Sequence, residues 1–297
     1  MSDTTVPSVL VPGSARTALL IAGLTLREAA RRRVLLALIV LTALLLLLSG
    51  WGFSRLGAEA DTGSMTSGEV RLVASQLLNL VMFGFSLVAA LGTAFLAGPT
   101  LAGETESGIA LSVLARPVRR SAVLLGKWLG LVGFGVGFVV LAGLTQCLIV
   151  LAAADYWPPR PAIALGLLAA QTVVLLTLTL LLATAVSPMA SGVVAIGLFG
   201  ATWVAGVVGG IGAALDNDGL ARIAAVSRMV LPTDGLWRGA MNAFQDPSVI
   251  VTWGGQDVEA FPFLSIAPLT WGYLVWVVVW LCMVGGLAAA AFARKDL

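Results

Sequence analysis

Histidine is absent from this chain, and lysine occurs only at Lys127 and Lys295. The first absence removes the commonest general base and a leading metal ligand. Charge is scarce as well: 11% of 297 residues against 59% hydrophobic, with a mean hydropathy of +1.01. Soluble domains carry about 25% charged residues. A chain so poor in charge is an integral membrane protein, and its length goes into helices rather than a water-soluble core. The two cysteines, Cys147 and Cys282, sit far apart inside apolar runs. They read as small hydrophobes, not as a redox pair or metal site. No phosphate loop is present, since Gly126-Lys127 is followed by Trp128 and lacks the leading glycine. The apolar runs hold no carboxylate, Lys or Arg well inside them. Ion-coupled carriers keep ionisable groups at depth, so a transporter of this composition takes its energy from elsewhere. The same lack argues against an intramembrane enzyme. The basic residues lie at the membrane edges, which gives no case for nucleic acid.

What is present is a set of apolar runs long enough to span a bilayer, which takes about 20 residues. The expected fold is all-α with six transmembrane helices, over about 34–53, 74–98, 128–152, 162–186, 189–213 and 267–291. Gly98-Pro99 closes the second run. Ser187-Pro188 divides the uncharged stretch 161–215, which is too long for one helix. Residues 54–71 read as a loop, residues 1–13 as a disordered start, and residues 294–297 as a short tail. Residues 14–33 read as an amphipathic interfacial helix, with Arg16, Arg27 and Arg31 on one side and Leu19, Leu20 and Leu24 as apolar surface. A cleaved signal peptide fits less well, because no small-x-small site follows the first apolar run.

With six spans both termini lie on one side. That side then holds 11 of the 17 Lys and Arg residues. Basic residues are retained in the cytoplasm, so both termini are expected there.

Between the second and third spans lies GETESGIALSVLARPVRRSAVLLGKWLG, a polar island flanked by charge-free runs. Within segment 100–120, a short helix from Thr100 to Leu114 is expected. Glu104 and Glu106 near its start suit the helix dipole. Arg116-Pro117 stops it, and Ser121 caps a helix that continues into the third span. Such a helix–turn–helix fits a groove on a soluble partner; a solvated loop that merely follows the positive-inside rule is the plain alternative.

Segment 214–265 is expected to carry short amphipathic helices half-sunk in the opposite leaflet. One ends at Pro232; the next repeats Trp237, Met241 and Phe244 near helical spacing. In the fifth span Ala201, Ala205, Gly209 and Ala213 form a small-residue stripe, and the third span carries Gly126/Gly130 and Gly133/Gly137. Small residues let helices approach in lipid. The stripe serves either packing within one subunit or a seam between two copies.

The polar island resembles the signature of ABC-2 type permeases, the type V membrane subunits of ABC exporters. The resemblance rests on Glu104, Glu106, Gly108, Leu114, Arg116, Pro117 and Arg120, and on Gly126, Lys127 and Gly130 at the entry to the third span. The runs LPTDGLWRG and FARKDL are also similar to that family, and the six-span layout fits it. The nearest resemblance is to its short branch, which includes the permease of the copper-site maturation system of nitrous oxide reductase. The resemblance implies a non-catalytic subunit without a cofactor of its own, in a bacterial cytoplasmic (inner) membrane. ATP and Mg would be bound by a separate ABC ATPase subunit, present in two copies. A second permease copy is the further expected partner, and the layout leaves room for an extracytoplasmic accessory protein. Residues 100–120 would be the coupling segment, Ala201, Ala205, Gly209 and Ala213 the dimer seam, and Pro232, Trp237, Met241 and Phe244 an outer gate. The cargo stays open. A membrane scaffold that recruits a soluble protein without transport is the alternative that the sequence leaves standing.

Overall fold

The structure is a computed structural model, and it describes residues 14–31, 33–63, 65–106, 120–248, 261–265 and 267–294. Regular structure among these residues is entirely helical: α1 (Ser14–Ala29), α2 (Arg33–Asp61), α3 (Ser67–Glu106), α4 (Arg120–Ala154), α5 (Pro161–Ala185), α6 (Pro188–Ala214), α7 (Asp218–Val230), α8 (Thr233–Phe244) and α9 (Trp271–Arg294). Six of them, α2 to α6 and α9, are long and apolar enough to cross a membrane. The chain is a multi-pass helical membrane protein.

The spans alternate in direction. Gly57 meets Ala153 near one end of the bundle, and Gly98 meets Pro188 near the other. The second end is called the α1 end below, and the first the far end.

Two boundaries differ from the sequence reading. Residues 54–71 are not a loop. α2 runs to Asp61, and only about five residues separate it from α3. The turn uses Gly63 at φ +71. A capping box follows: Thr66 N donates to Glu69 Oε2 at 2.8 Å, and Glu69 N donates to Thr66 Oγ1 at 3.3 Å. Charge in this stretch marks helix ends outside the apolar layer, not an absence of helix. Gly98-Pro99 closes the apolar span as expected but does not end the helix. α3 continues through Pro99 to Glu106, 40 residues in all, about 60 Å at 1.5 Å per residue. The glycine serves a crossing, since a Cβ there would lie 2.4 Å from the Pro188 carbonyl oxygen at the start of α6.

α1 lies against α4, and the reason is local. A Cβ on Gly126 would sit 2.6 Å from Ala18 O, and one on Gly130 2.6 Å from Ala22 O. The Gly126/Gly130 pair is therefore a groove that receives α1. Ala18, Thr25 and Ala29 are buried along the helix, and Leu19, Leu20 and Leu24 stay exposed. That is the two-faced arrangement of an interfacial helix. Gly133 and Gly137, expected to pack in the same way, have open space beside them.

Candidate functional site: a helical hairpin with a buried arm

The segment expected to lie half-sunk at a surface divides in two: α7 buries only Ala224 and leaves Ile223, Val226, Met229 and Val230 exposed, in line with that expectation, whereas α8 folds into the bundle. α7 turns back along α6. Asp216 at φ +51 and Asn217 make the corner, where Asn217 N donates to Gly212 O at 2.7 Å and Asn217 Oδ1 accepts from Gly219 N and Leu220 N. Small residues set the fit: a Cβ on Gly209 would be 2.1 Å from Ala224 Cβ, and one on Gly212 2.5 Å from Leu220 Cβ. α8 then returns toward the far end. Every residue of α8 except Arg238 is buried. A half-exposed amphipathic helix is thus the wrong description for α8. It is core, sharing one apolar cluster with Met82, Leu168 and Trp280.

The depth of the tip follows from its partners. Trp280 Nε1 donates to Val230 O at 2.8 Å. Trp280 is the tenth residue of α9, so Val230 lies about 14 Å inside the far end. Gln171 Nε2 donates to Thr233 O at 3.3 Å from near the middle of α5. With an apolar layer about 30 Å thick, the tip Leu231–Thr233 sits near mid-depth.

A helix end leaves four carbonyls without intrahelical partners, and inside a bilayer each must find one within the protein. Here, past the last intrahelical bond, three of them at the end of each helix are satisfied by groups from elsewhere in the chain. At the end of α7, Ser227 O accepts from Leu231 N, Arg228 O from Tyr273 OH, Met229 O from Trp276 Nε1 and Val230 O from Trp280 Nε1. Tyr273, Trp276 and Trp280 fall on one face of α9, so a single helix face caps the other helix. At the end of α8, Met241 O accepts from Gln245 N, Asn242 O from Arg160 Nη2, Ala243 O from Arg160 N and Phe244 O from Tyr156 OH. Burial pushes the Tyr156 hydroxyl well above its ordinary range, so it remains a donor.

The hairpin carries charge to a depth where the spans have none. Asp234, 4% exposed, opens α8. Its Oδ2 accepts from Arg228 Nε at 2.9 Å and Arg238 Nε at 3.3 Å. Arg238 Nη2 also donates to Gly206 O at 2.6 Å. The carboxylate occupies the space left by Gly206, where a Cβ would fall 2.3 Å from both of its oxygens. This corrects the expectation of a membrane interior without ionisable groups. That expectation held for the runs themselves and missed a segment that re-enters.

A chain of polar side chains ties the tip to the spans. Ser86 Oγ donates to Gln171 Oε1 at 2.8 Å, Gln171 reaches Thr233 O, and the Thr233 and Thr202 hydroxyls are 2.9 Å apart. α3, α5, α6 and α8 thus meet in one network.

The site residues expected from the sequence are distributed as follows. Pro232, Trp237, Met241 and Phe244 are all buried within or beside α8. Trp237 packs 5.4 Å from Phe83, and neither its indole N–H nor that of Trp203 has a hydrogen-bond partner among the described residues. Gly209 of the small-residue stripe is covered by Ala224 of the same chain, which is packing within one subunit. Ala201 is exposed, and Ala205 and Ala213 are half-buried. Glu104 and Glu106 lie on the last turns of α3, and Arg120 opens α4. Gly108, Leu114, Arg116 and Pro117 lie outside the described residues. Sequence reasoning missed Arg228, Asp234 and Arg238 as a group, and Tyr273, Trp276 and Trp280 as the caps. The signal for the caps was legible: three aromatic side chains with polar tips at i, i+3 and i+7 on a span.

No protein-family model matches this chain, and no curated protein matches it.

Proposed function

We propose that this chain is the membrane-spanning permease subunit of an ABC exporter of the ABC-2 type, driven by ATP hydrolysed on a separate ATPase subunit. In this reading the α1 end faces the bacterial cytoplasm, two copies pair, and two ATPase subunits dock against segment 100–120. The chain itself performs no catalysis. The observation that carries the reading is the framing of that segment. α3 projects seven residues past Pro99 to Glu106, α4 resumes at Arg120, and α1 is clamped to α4 through Gly126 and Gly130. A push on the charged connection would be delivered to rigid helices rather than absorbed by a slack loop. The motif residues that resemble the ABC-2 signature fall in this stretch of the sequence.

The route onward is physical. α3 is one helix from Glu106 to Ser67, and Ser86 at its middle is bonded to Gln171, which holds the hairpin tip at Thr233. Displacement of the α1 end of α3 would load the tip of a plug seated at mid-depth. Rigid-body rocking of packed helices is an established form of such transitions. The hairpin would close the path on the far side and yield when α3 moves.

The test is reconstitution with an ABC ATPase encoded beside this chain. Co-purification and ATP turnover that rises in the complex are expected. The pair Glu104→Ala with Glu106→Ala should leave insertion and expression intact and lower turnover or docking severalfold. Unchanged docking and turnover in that variant removes the coupling role. Docking without any nucleotide-dependent transport favours a scaffold instead.

A further inference from the structure

A cavity of about 340 Å³ opens between α6, α7, α8 and the start of α9. We propose that it is an anion-binding site, for a small molecule or headgroup that carries a phosphate or carboxylate. Its wall combines Arg228, Arg238 and Tyr273 with Gly209 and Gly210, and among the described residues no acidic side chain lines it. Asp234 lies behind the arginines, held against Gly206.

The two arginines differ in what they have left to offer. Arg238 is committed to the fold, through Asp234 and the Gly206 carbonyl. Arg228 gives only Nε to Asp234, and its two terminal nitrogens make no hydrogen bond or ion pair among the described residues. Its side chain is 30% exposed. The fork is thus reachable from outside, and its backbone is fixed by the Tyr273 hydroxyl on Arg228 O. A guanidinium held in this way binds the paired oxygens of a carboxylate or phosphate. A second, separate feature points the same way. Leu269, Thr270 and Tyr273 bring the N-terminal turn of the 24-residue helix α9 to the cavity wall. The Tyr273 amide is taken up by Thr270, and the positive dipole end of the helix favours an anion there. The glycines opposite remove side chains from the floor and leave room for a body behind the acidic group. The volume suits a small molecule. As a station for cargo the cavity rests on the permease reading; as an anion site it stands without it.

The experiment uses the full chain in phosphatidylcholine nanodiscs, without an ATPase. In one arm glycerol phosphate is titrated by calorimetry against glycerol as the neutral control. In the other, nanodiscs are doped with phosphatidic acid and the retained lipid is read by native mass spectrometry. Binding in the first arm identifies a soluble anion, and retention in the second only identifies a lipid headgroup; either supports the site. Arg228→Gln should weaken the signal by at least about tenfold, because the fork supplies both charge and geometry. Arg228→Lys should fall between, keeping charge and losing the fork. Ala267→Glu supplies a check that does not touch the ion pair. Ala267 is exposed on the cavity rim, so a carboxylate there repels the ligand without disturbing the fold. No binding in either arm overturns the proposal, and so does binding that Arg228→Gln and Ala267→Glu leave unchanged. Anion binding with no ATPase coupling keeps the site and defeats the permease reading, so the two failures are distinct.

Discussion

Asp234→Asn isolates the charge that holds the hairpin. The amide is nearly the same size, so it still fits the hollow beside Gly206, and the packing of α8 is unchanged. What changes is that Arg228 Nε and Arg238 Nε, 2.9 and 3.3 Å from one carboxylate oxygen, lose their shared counter-charge. Removing one partner from a buried ion pair costs about 3–5 kcal/mol. The arginine side chains here are 30% and 17% exposed, so solvent recovers part of that, and about 2–3 kcal/mol is the expected loss. That lowers the folded-to-unfolded ratio by about 30- to 150-fold. The assay is thermal unfolding of the purified protein in nanodiscs, together with protease cleavage within residues 218–244. Asp234→Asn should melt earlier and open the hairpin to cleavage before the spans are lost. Arg228→Gln alone should cost less, because Asp234 keeps Arg238, and the two changes together should couple by about 0.5–3 kcal/mol. Identical melting of Asp234→Asn and the parent, with zero coupling in the cycle, would refute the idea that this triad secures the plug.

Two further substitutions probe the caps and the α1 seat. Trp280→Phe deletes the N–H that satisfies Val230 O and should cost about 1–3 kcal/mol in the same melt. Trp237→Phe deletes an N–H that has no partner among the described residues, and should cost clearly less although both indoles are buried. Gly130→Val places a branched side chain where even a Cβ meets Ala22 O at 2.6 Å. It should free α1 from α4, seen as faster amide exchange over 14–29, while the six spans remain inserted.

The spans were legible because each is a charge-free run of sufficient length, and the bilayer leaves the backbone little choice there. Their ends were less so. Charged residues from Arg55 to Asp61 are helical because a helix continues past the apolar layer once its backbone is already bonded. Pro99 read as a stop, yet in α3 a helix packed on both sides carries on through it. The hairpin was the largest departure. Helices of 13 and 12 residues, bounded by Asp216, Asp218, Arg228 and Asp234, carry the composition of surface elements. The burial of α8 and the capping of α7 depend on partners far away in sequence: Tyr156, Arg160, Gln171, Gly206, Tyr273, Trp276 and Trp280. None of these is adjacent, and local pattern does not report which side chains will meet. The candidate ATPase segment was the reverse case, prominent in sequence through its charges and its resemblance.

A photo-crosslinking residue placed at position 106, in cells that carry this chain at native level, examines the proposed drive at its point of contact. The expected product is a crosslink to one soluble ATPase, whose yield changes when ATP is depleted. A crosslink to a protein on the opposite side of the membrane, or no crosslink to any ATPase while the chain is inserted and folded, would contradict a permease powered from outside its own sequence.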